Sequence, residues 1–275
     1  MRKANVLVAY PYLAGVLPAL RERADEMRLV IDSGAFTAWK ARKPIALDDY
    51  CRALESMPVP PWRYFALDVI GDPAATMRNY EIMRARGFSP IPVFTRGEDP
   101  SVLDDLYATS EVVGIGGLVG TAGNRGFVNG IMRHVAGRKV HWLGFTRSDY
   151  LIRWKPYMAD SSTWGVGGVY GNLPVYLGRG EVRQVYRRQY QNGLEPGVLA
   201  FLQRVGVDPN AIRSKANTTG GEHNILRWTG ALAHVWRSLD VERKIRTHLF
   251  LAVGSTTDVR HVLDARRQLH ERGVI

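Results

Sequence analysis

Three aspartates end short apolar runs, where buried parallel strands typically give way to loops: Asp32, Asp68 and Asp160. Carboxylates gathered at one site suit substitution at a sugar carbon. One can attack the anomeric carbon while another moves protons, and their charge stabilises an oxocarbenium-like transition state. Helix capping is the commoner role for a single such aspartate, and it is predicted for Asp72, which precedes a proline. Three acids at corresponding positions favour glycosyl transfer.

Two further features predict a pocket for a planar ring. Residues 114–120 are glycine-rich, and Gly116 and Gly117 would let backbone groups approach the edge of a base closely. A tight turn without a ligand is the alternative, and a phosphate loop is disfavoured because the lysine and hydroxyl residue of that motif are missing. Phe36 is predicted to form one wall of a stacking pocket, and a position in the hydrophobic core is the alternative.

The elements that must position these residues follow one rhythm: a short apolar run, a loop with Gly, Asp or Ser, and a helical stretch. Eight such units predict an α/β fold, the (β/α)8 TIM-like barrel, in which catalytic residues lie at the C-terminal ends of the strands. An open doubly wound sheet is the alternative, without the Gly-x-Gly-x-x-Gly of a dinucleotide site. The predicted strands span residues 6–10, 28–31, 64–67, 91–94, 112–115, 140–144, 157–159 and 248–253.

A long gap separates the seventh predicted strand from the eighth. Residues 161–246 are predicted to form a helical insertion between them on the active face, helical over 181–205 and again over 222–239. No linker or low-complexity tract divides the chain, so residues 1–275 are interpreted as a single barrel domain.

Composition and charge narrow the class of protein. Hydrophobic residues make up 45% of the 275 positions and no apolar run is long enough to span a bilayer, so a folded cytoplasmic protein is expected. The formal net charge of +11 favours a polyanionic partner over a membrane surface. Cys51 is the only cysteine, and the seven histidines form no metal-binding motif. We therefore predict no metal and no other cofactor.

Basic residues beyond the seventh strand, with one after the sixth, are predicted to contact nucleic acid. They are Arg179, Arg183, Arg187, Arg188, Lys215 and Arg147. The first three are spaced to share one face of a predicted helix and to contact successive phosphates, although a solvated surface face fits equally well. Trp164 follows Asp160 closely and is placed for a mobile lid or an intercalating wedge, with structural packing as the alternative.

Four segments, in this order, resemble the tRNA-guanine transglycosylase superfamily over residues 5–164. Residues 32–36, Asp-Ser-Gly-Ala-Phe, are similar to that family's Asp-Ser-Gly-Gly-aromatic motif. The resemblance implies that Asp32 is the general acid and base and that Phe36 stacks on the substrate base, with Ser33 beside them in the base-binding motif.

The same resemblance implies roles for the other strand ends. Asp68 would bind the Watson–Crick edge of guanine, Gly116 and Gly117 would contact the base through the backbone, and Asp160 would be the nucleophile. Members that act on tRNA carry a three-cysteine zinc site, which a chain with Cys51 alone cannot form. A compact relative without zinc resembles the phage-type DNA-guanine transglycosylases, which install 7-deazaguanines in DNA.

The resemblance therefore implies exchange of guanine in DNA for a 7-deazaguanine base through a covalent aspartyl-sugar intermediate. The partners would be DNA, with the target nucleotide flipped out of the stack, and a 7-deazaguanine precursor base. The host cytoplasm would be the location if a phage encodes the chain. Three alternatives stay open: tRNA as the substrate, a DNA N-glycosylase in which water resolves the intermediate, and a non-catalytic nucleic-acid-binding barrel.

Overall fold

The computed structural model describes residues 2–119, 125–165, 170–213 and 225–275. Parallel strands alternate with helices in an α/β fold, as the sequence predicts. The strands are β1 Ala4–Ala9, β2 Met27–Asp32, β3 Arg63–Tyr64, β4 Val93–Phe94, β5 Val112–Ile115, β6 Lys139–Trp142, β7 Met158–Ser161, β8 Leu173–Gly178, β9 Glu181–Val185 and β10 His248–Val253. The helices are α1 Leu13–Arg23, α2 Ala35–Ala41, α3 Leu47–Glu55, α4 Pro73–Ala85, α5 Val102–Thr109, α6 Arg125–Val135, α7 Ser148–Trp154, α8 Arg187–Gln191, α9 Pro196–Val205, α10 Pro209–Arg213, α11 Ile225–Ile245 and α12 Thr256–Glu271.

Eight strands form one curled parallel sheet in the order β3-β2-β1-β10-β7-β6-β5-β4. Each of the eight predicted strands overlaps one of these strands. Most of their side chains are buried because helices cover the sheet, which explains why the strands appear in the sequence as apolar runs. The predicted N-cap is also confirmed: the Asp72 carboxylate accepts a hydrogen bond from Ala75 N at 2.9 Å at the start of α4.

The sheet is not a closed barrel, because its edge strands β3 and β4 form no ladder with each other. The two edges meet at a single parallel bridge between Phe65 and Ile91, where Ile91 N donates to Tyr64 O at 2.8 Å. Ile91 O in turn accepts from Ala66 N at 2.9 Å, so two backbone hydrogen bonds join the two edges at this bridge. The strand order is nevertheless the cyclic order of an eight-stranded barrel, interrupted between its third and fourth strands.

The region after β7 begins with a β-hairpin, so the predicted helix over 181–205 is wrong at its start. Strands β8 and β9 pair antiparallel, and the turn between them contains Gly178, Arg179 and Gly180, all with positive φ. Glycine favours this conformation, which ends any helix. Helices α8 and α9 follow, and the second predicted helix is confirmed in its described part as α11.

The hairpin shares a hydrophobic core with the sheet. Val6 of β1, Val175 of β8 and Leu232 of α11 belong to one buried cluster, and α11 is packed between the hairpin and β10. Because this core is continuous, the hairpin and α11 are held against the part of the sheet formed by β1 and β10. None of the helices in the described ranges is both long and apolar enough to cross a bilayer.

A polar network stabilises the opposite face, at the N-terminal ends of the strands. Glu242 accepts hydrogen bonds from Asn5 at 2.7 Å and Arg28 at 3.2 Å, and its carboxylate lies 3.3 Å from His248. Burial opposes ionisation, but the hydrogen bonds from His248 and Asn5 and the charge of Arg28 together lower the pKa of Glu242 to about 2. This face supports stability, as is usual for the N-terminal ends of such strands.

Candidate functional site

The structure brings the three aspartates to the C-terminal side of the sheet. Asp32 is the last residue of β2, Asp160 lies in β7, and Asp68 follows the short β3. The charges of Asp68 and Asp160 both act on the Asp32 carboxyl, so the three groups share one electrostatic environment. Parallel strands direct their C-terminal ends to the same edge of the sheet, which explains this convergence.

The Asp32 carboxyl is poised to exchange a proton near neutral pH. Burial raises its pKa to about 7, and the negative charges of Asp68 and Asp160 add to the effect. Backbone N–H groups oppose this shift, including that of Gly34, which donates to Asp32 Oδ2 at 2.9 Å. A carboxyl with a pKa near the working pH can act both as an acid and as a base.

Ser33 positions the second carboxyl. Its hydroxyl donates to Asp68 Oδ1 at 2.5 Å and accepts from Ala35 N at 3.2 Å, and its side chain is fully buried. The hydroxyl thus uses its donor and one acceptor position within the protein and orients Asp68, and the base contact predicted for Ser33 stays a prediction. Burial raises the pKa of Asp68, although the hydrogen bond from Ser33 opposes the shift.

Asp160 is held through one of its two oxygens. Its Oδ1 accepts from Gly144 N at 2.9 Å and lies 2.9 Å from His141 Nε2. Among the residues that the structure describes, none forms a hydrogen bond with Oδ2. A carboxylate fixed in this way presents its second oxygen to a ligand, as a nucleophile must.

His141 is a site residue that the sequence analysis missed. It is fully buried in β6, and its ring lies edge-on to that of Phe65 at 4.8 Å between centroids. A polar residue inside the apolar run of the sixth predicted strand was the available signal, because a buried imidazole normally has a specific partner. That partner is Asp160, a contact that depends on the pairing of β6 with β7.

A cavity of about 680 Å³ opens beside Asp68. One of its walls is Trp39, and Lys43 and Asn79 also line it. Phe36 is not among the lining residues: it is 43% exposed and lies stacked on Trp39, with 6.0 Å between ring centroids. The aromatic ring that lines the cavity is therefore Trp39, and Phe36, about one turn earlier on the same face of α2, stacks against it outside the lining.

Next to this cavity lies a basic arm, defined here as Lys40, Arg42 and Lys43. All three residues are exposed at the end of α2 and in the turn that follows it. Trp39 is also exposed, by 58%. Cations interleaved with an exposed aromatic ring are typical of surfaces that bind a single strand of nucleic acid. The sequence signal for this surface is the basic arm directly after Phe36 and Trp39, and the sequence analysis did not interpret it as a nucleic-acid surface.

The glycines at the end of β5 serve the packing of the chain. Gly116 N donates to Phe94 O at 2.8 Å, so this N–H is used within the sheet, and the backbone contact between this segment and a base stays a prediction. Gly117 has a φ of 70°, and a side chain there would place its Cβ 2.5 Å from Cβ of Arg96. The tight turn, the alternative interpretation of this segment, explains both glycines.

The predicted phosphate-binding arginines do not share one helical face. Arg179 is exposed in the hairpin turn, and Arg183 lies on β9, where its guanidinium donates to Glu195 at 2.7 Å. Arg187 and Arg188 are exposed at the start of α8. The spacing predicted one surface only because residues 181–185 were interpreted as helix, so that part of the prediction is wrong.

The remaining nucleic-acid candidates differ in their surroundings. Arg147 follows β6 and pairs with Asp149 at 2.7 Å. Trp164 is buried, 2% exposed, and its indole donates to Ala252 O at 2.7 Å. Its position in the structure is the one that the packing alternative predicts. Lys215 lies outside the described residues.

Comparisons with known proteins give no match: no protein-family model fits the chain, and no curated protein sequence matches it. The family resemblance therefore stays a prediction, and it depends on the residues of the site. Within the described ranges, His, Cys, Asp and Glu side chains do not group in threes as metal ligands. The absence of a metal also stays a prediction.

Proposed function

We propose that this protein is a DNA-guanine transglycosylase built on a TIM-like barrel with an insertion after the seventh strand. The reaction exchanges guanine in DNA for a 7-deazaguanine base through a covalent aspartyl-sugar intermediate. The observation that carries this proposal is that two carboxyls of the site differ in their surroundings. Asp160 is held through one oxygen, and its other oxygen forms no hydrogen bond with the described residues, whereas Asp32 has a pKa of about 7. Unlike environments assign unlike roles to carboxyls of one site.

In the first half-reaction Asp160 Oδ2 attacks C1′ of the flipped deoxyguanosine. The C1′–N9 bond breaks, its electron pair leaves with guanine, and a sugar ester of Asp160 forms. Asp32 in its protonated form gives its proton to the departing base. Gly144 N–H and His141 hold the reacting carboxylate in place throughout, which lowers the entropy cost of the attack.

In the second half-reaction a 7-deazaguanine base occupies the vacated site. Asp32, now ionised, takes the N9 proton, and N9 attacks C1′ as the ester bond to Asp160 breaks. The Asp160 carboxylate and protonated Asp32 are regenerated, so no proton is gained or lost over the cycle. One carboxyl serves as acid and then as base, a role that suits a pKa of about 7.

Asp68 supports recognition of guanine over other bases. Guanine presents adjacent N–H donors at N1 and N2, and a carboxylate offers the acceptors that complement them. The Ser33 hydroxyl fixes the orientation of Asp68, and Trp39 offers a ring on which the base can stack. An adenine in the same place would present an acceptor at N1 to the carboxylate and would be rejected.

The basic arm beside the Asp68 cavity supports nucleic acid as the partner. Lys40, Arg42 and Lys43 lie within reach of a strand whose flipped base enters that cavity, and the chain as a whole has a net charge of +11. DNA rather than tRNA is proposed because the chain, with its single cysteine, lacks the zinc site of members that act on tRNA.

The proposal is tested by incubating the protein with radiolabelled guanine and either DNA or tRNA. The variants are Asp160→Asn and Asp32→Asn, and Asp105→Asn, an exposed acid of α5, is the matched control. We expect label in DNA with the wild type and the control, and none with the two site variants. Label in tRNA alone would show that DNA is not the substrate. Release of free base without incorporation would indicate a glycosylase. If the protein neither incorporated label nor released base, the result would contradict a catalytic function.

A further inference from the structure

A second cavity, of about 670 Å³, lies beside Asp160 and shares no lining residue with the Asp68 cavity. The loop after β6, the end of β7, β9 and α11 enclose it. Its residues include Gly144, whose N–H holds Asp160, and Ser161, the next residue after Asp160 in the chain. Its occupant would therefore be a direct neighbour of the reacting sugar.

Two buried polar groups in this cavity have no partner in the described part of the chain. His234 is 3% exposed, and neither of its ring nitrogens forms a hydrogen bond. The buried Oε1 of Gln184 is also unpaired. Buried polar groups are nearly always satisfied in proteins, and leaving one unpaired is unfavourable. Two such groups in one cavity point to a ligand that hydrogen-bonds to both.

The imidazole of His234 is neutral. Burial lowers its pKa to about 3, and the positive charge of Arg237 adds to that effect. A neutral imidazole has one N–H donor and one acceptor nitrogen, so it can take part in a two-way contact with the edge of a ring.

The charged groups of the cavity do not favour an anion. Arg237 donates from Nε to Gly180 O at 2.7 Å and from its terminal nitrogens to the carbonyl and hydroxyl of Thr146, so it fastens the hairpin turn to the β6 loop. The carboxylates of Asp149 and Glu181 also line the cavity, and Arg147 is paired with the first of them. The ligand that fits this lining is uncharged and carries both a donor and an acceptor.

We propose that this cavity binds the base that flanks the target guanine in the same strand, with Gln184 and His234 contacting its edge. The inference rests on the proposed function. Flanking nucleotides are joined to the target sugar by one phosphate, so a flanking base belongs beside Asp160. The Watson–Crick edge of each base carries a donor next to an acceptor, so a flanking base can give Gln184 Oε1 a donor and His234 N–H an acceptor.

The test uses oligonucleotides with a single guanine in a thymine tract, in which an abasic site replaces a thymine next to the guanine. Exchange of labelled guanine and binding by fluorescence anisotropy are both measured for wild type, Gln184→Ala and His234→Phe. Gln203→Ala, an exposed residue of α9, is the matched control. We expect about a tenfold preference for the thymine flank over the abasic flank in wild type and control, reduced to less than about threefold in Gln184→Ala.

The outcomes separate this inference from the proposed function. Exchange without dependence on the flanking base, or with the same dependence in Gln184→Ala, would overturn the cavity assignment and leave the transglycosylase proposal intact. The wild type could also show flank-dependent binding that is lost in Gln184→Ala but no base exchange. That result would support the flanking-base site and contradict the proposed transglycosylase activity. Gln184 is partly exposed on a hairpin strand, so its truncation tests the cavity even if His234→Phe unfolds the protein.

Discussion

Asp32 should set the pH dependence of both half-reactions, in opposite directions. The value of kcat/KM for DNA reports the free enzyme, which needs Asp32 protonated to assist the departing guanine. With a pKa of about 7 rather than the usual 3.8, the protonated fraction falls from one half at pH 7 to about 1% at pH 9. We therefore expect kcat/KM for DNA to fall about fiftyfold between these pH values.

The value of kcat/KM for the incoming base reports the covalent intermediate, in which Asp32 must be ionised. In that state Asp160 is an ester and carries no charge, so one cause of the raised pKa of Asp32 is removed. The rate with the incoming base should therefore rise with pH, with a midpoint below that measured for DNA.

The assay is label exchange at a series of pH values from 5 to 9, with each substrate varied in turn. The Asp68→Asn variant removes a second negative charge from the neighbourhood, so the midpoint for DNA should move to lower pH. Because Asp68→Asn also weakens base binding, the carboxyl of Asp32 is followed by ¹³C NMR in the same variant. A profile that is flat between pH 6 and 9, or a midpoint that Asp68→Asn leaves in place, would refute the reasoning.

Three further predictions concern stability and base binding. The pKa of Glu242 is lower in the folded chain than the usual 4.5, so the stabilisation by this carboxylate is complete above about pH 4.5 and is lost as the pH falls to about 2. Glu242→Gln should therefore lower the free energy of unfolding, measured in urea, by about 1–3 kcal/mol at pH 7 and by little near pH 2. Trp164→Phe removes the hydrogen bond to the backbone and should cost about 1–2 kcal/mol of stability while DNA affinity stays unchanged, whereas a loss of affinity at full stability would restore the wedge. Trp39→Ala should raise the KM for the incoming base about tenfold or more through lost stacking, and an unchanged KM would remove Trp39 from the site.

The sequence was sufficient to locate the strands of the sheet but not all of its pairings. Buried parallel strands are apolar runs, and such runs are visible without a structure. The interruption between β3 and β4 could not be predicted, because it depends on contacts between distant parts of the chain, where Phe65 and Ile91 form an isolated bridge. The hairpin was mistaken for helix because Val182 and Val185 fit a helical spacing as well as a strand.

In the site, too, features that follow from the order of residues along the chain could be predicted, and contacts between elements could not. The acids could be predicted because aspartates after strands converge wherever parallel strands do. The hydrogen bond from Gly116 N to Phe94 O could not be predicted, because spacing along the chain does not reveal a contact across the sheet. Trp39 and His141 were missed because their roles arise from contacts between elements, with Asp68 across one cavity and with Asp160 on the neighbouring strand.

Gly144 connects the chemistry to the second cavity. Its N–H orients Asp160, it lines the cavity, and its φ of 65° brings the chain so close to Val119 that an added Cβ would lie 2.8 Å from Cγ2 of that side chain. A ligand that displaces this loop must therefore also move the hydrogen bond to the nucleophile. Under the proposed function, a correctly seated flanking base would raise kcat as well as lower KM, since it would hold Asp160 in its attacking position.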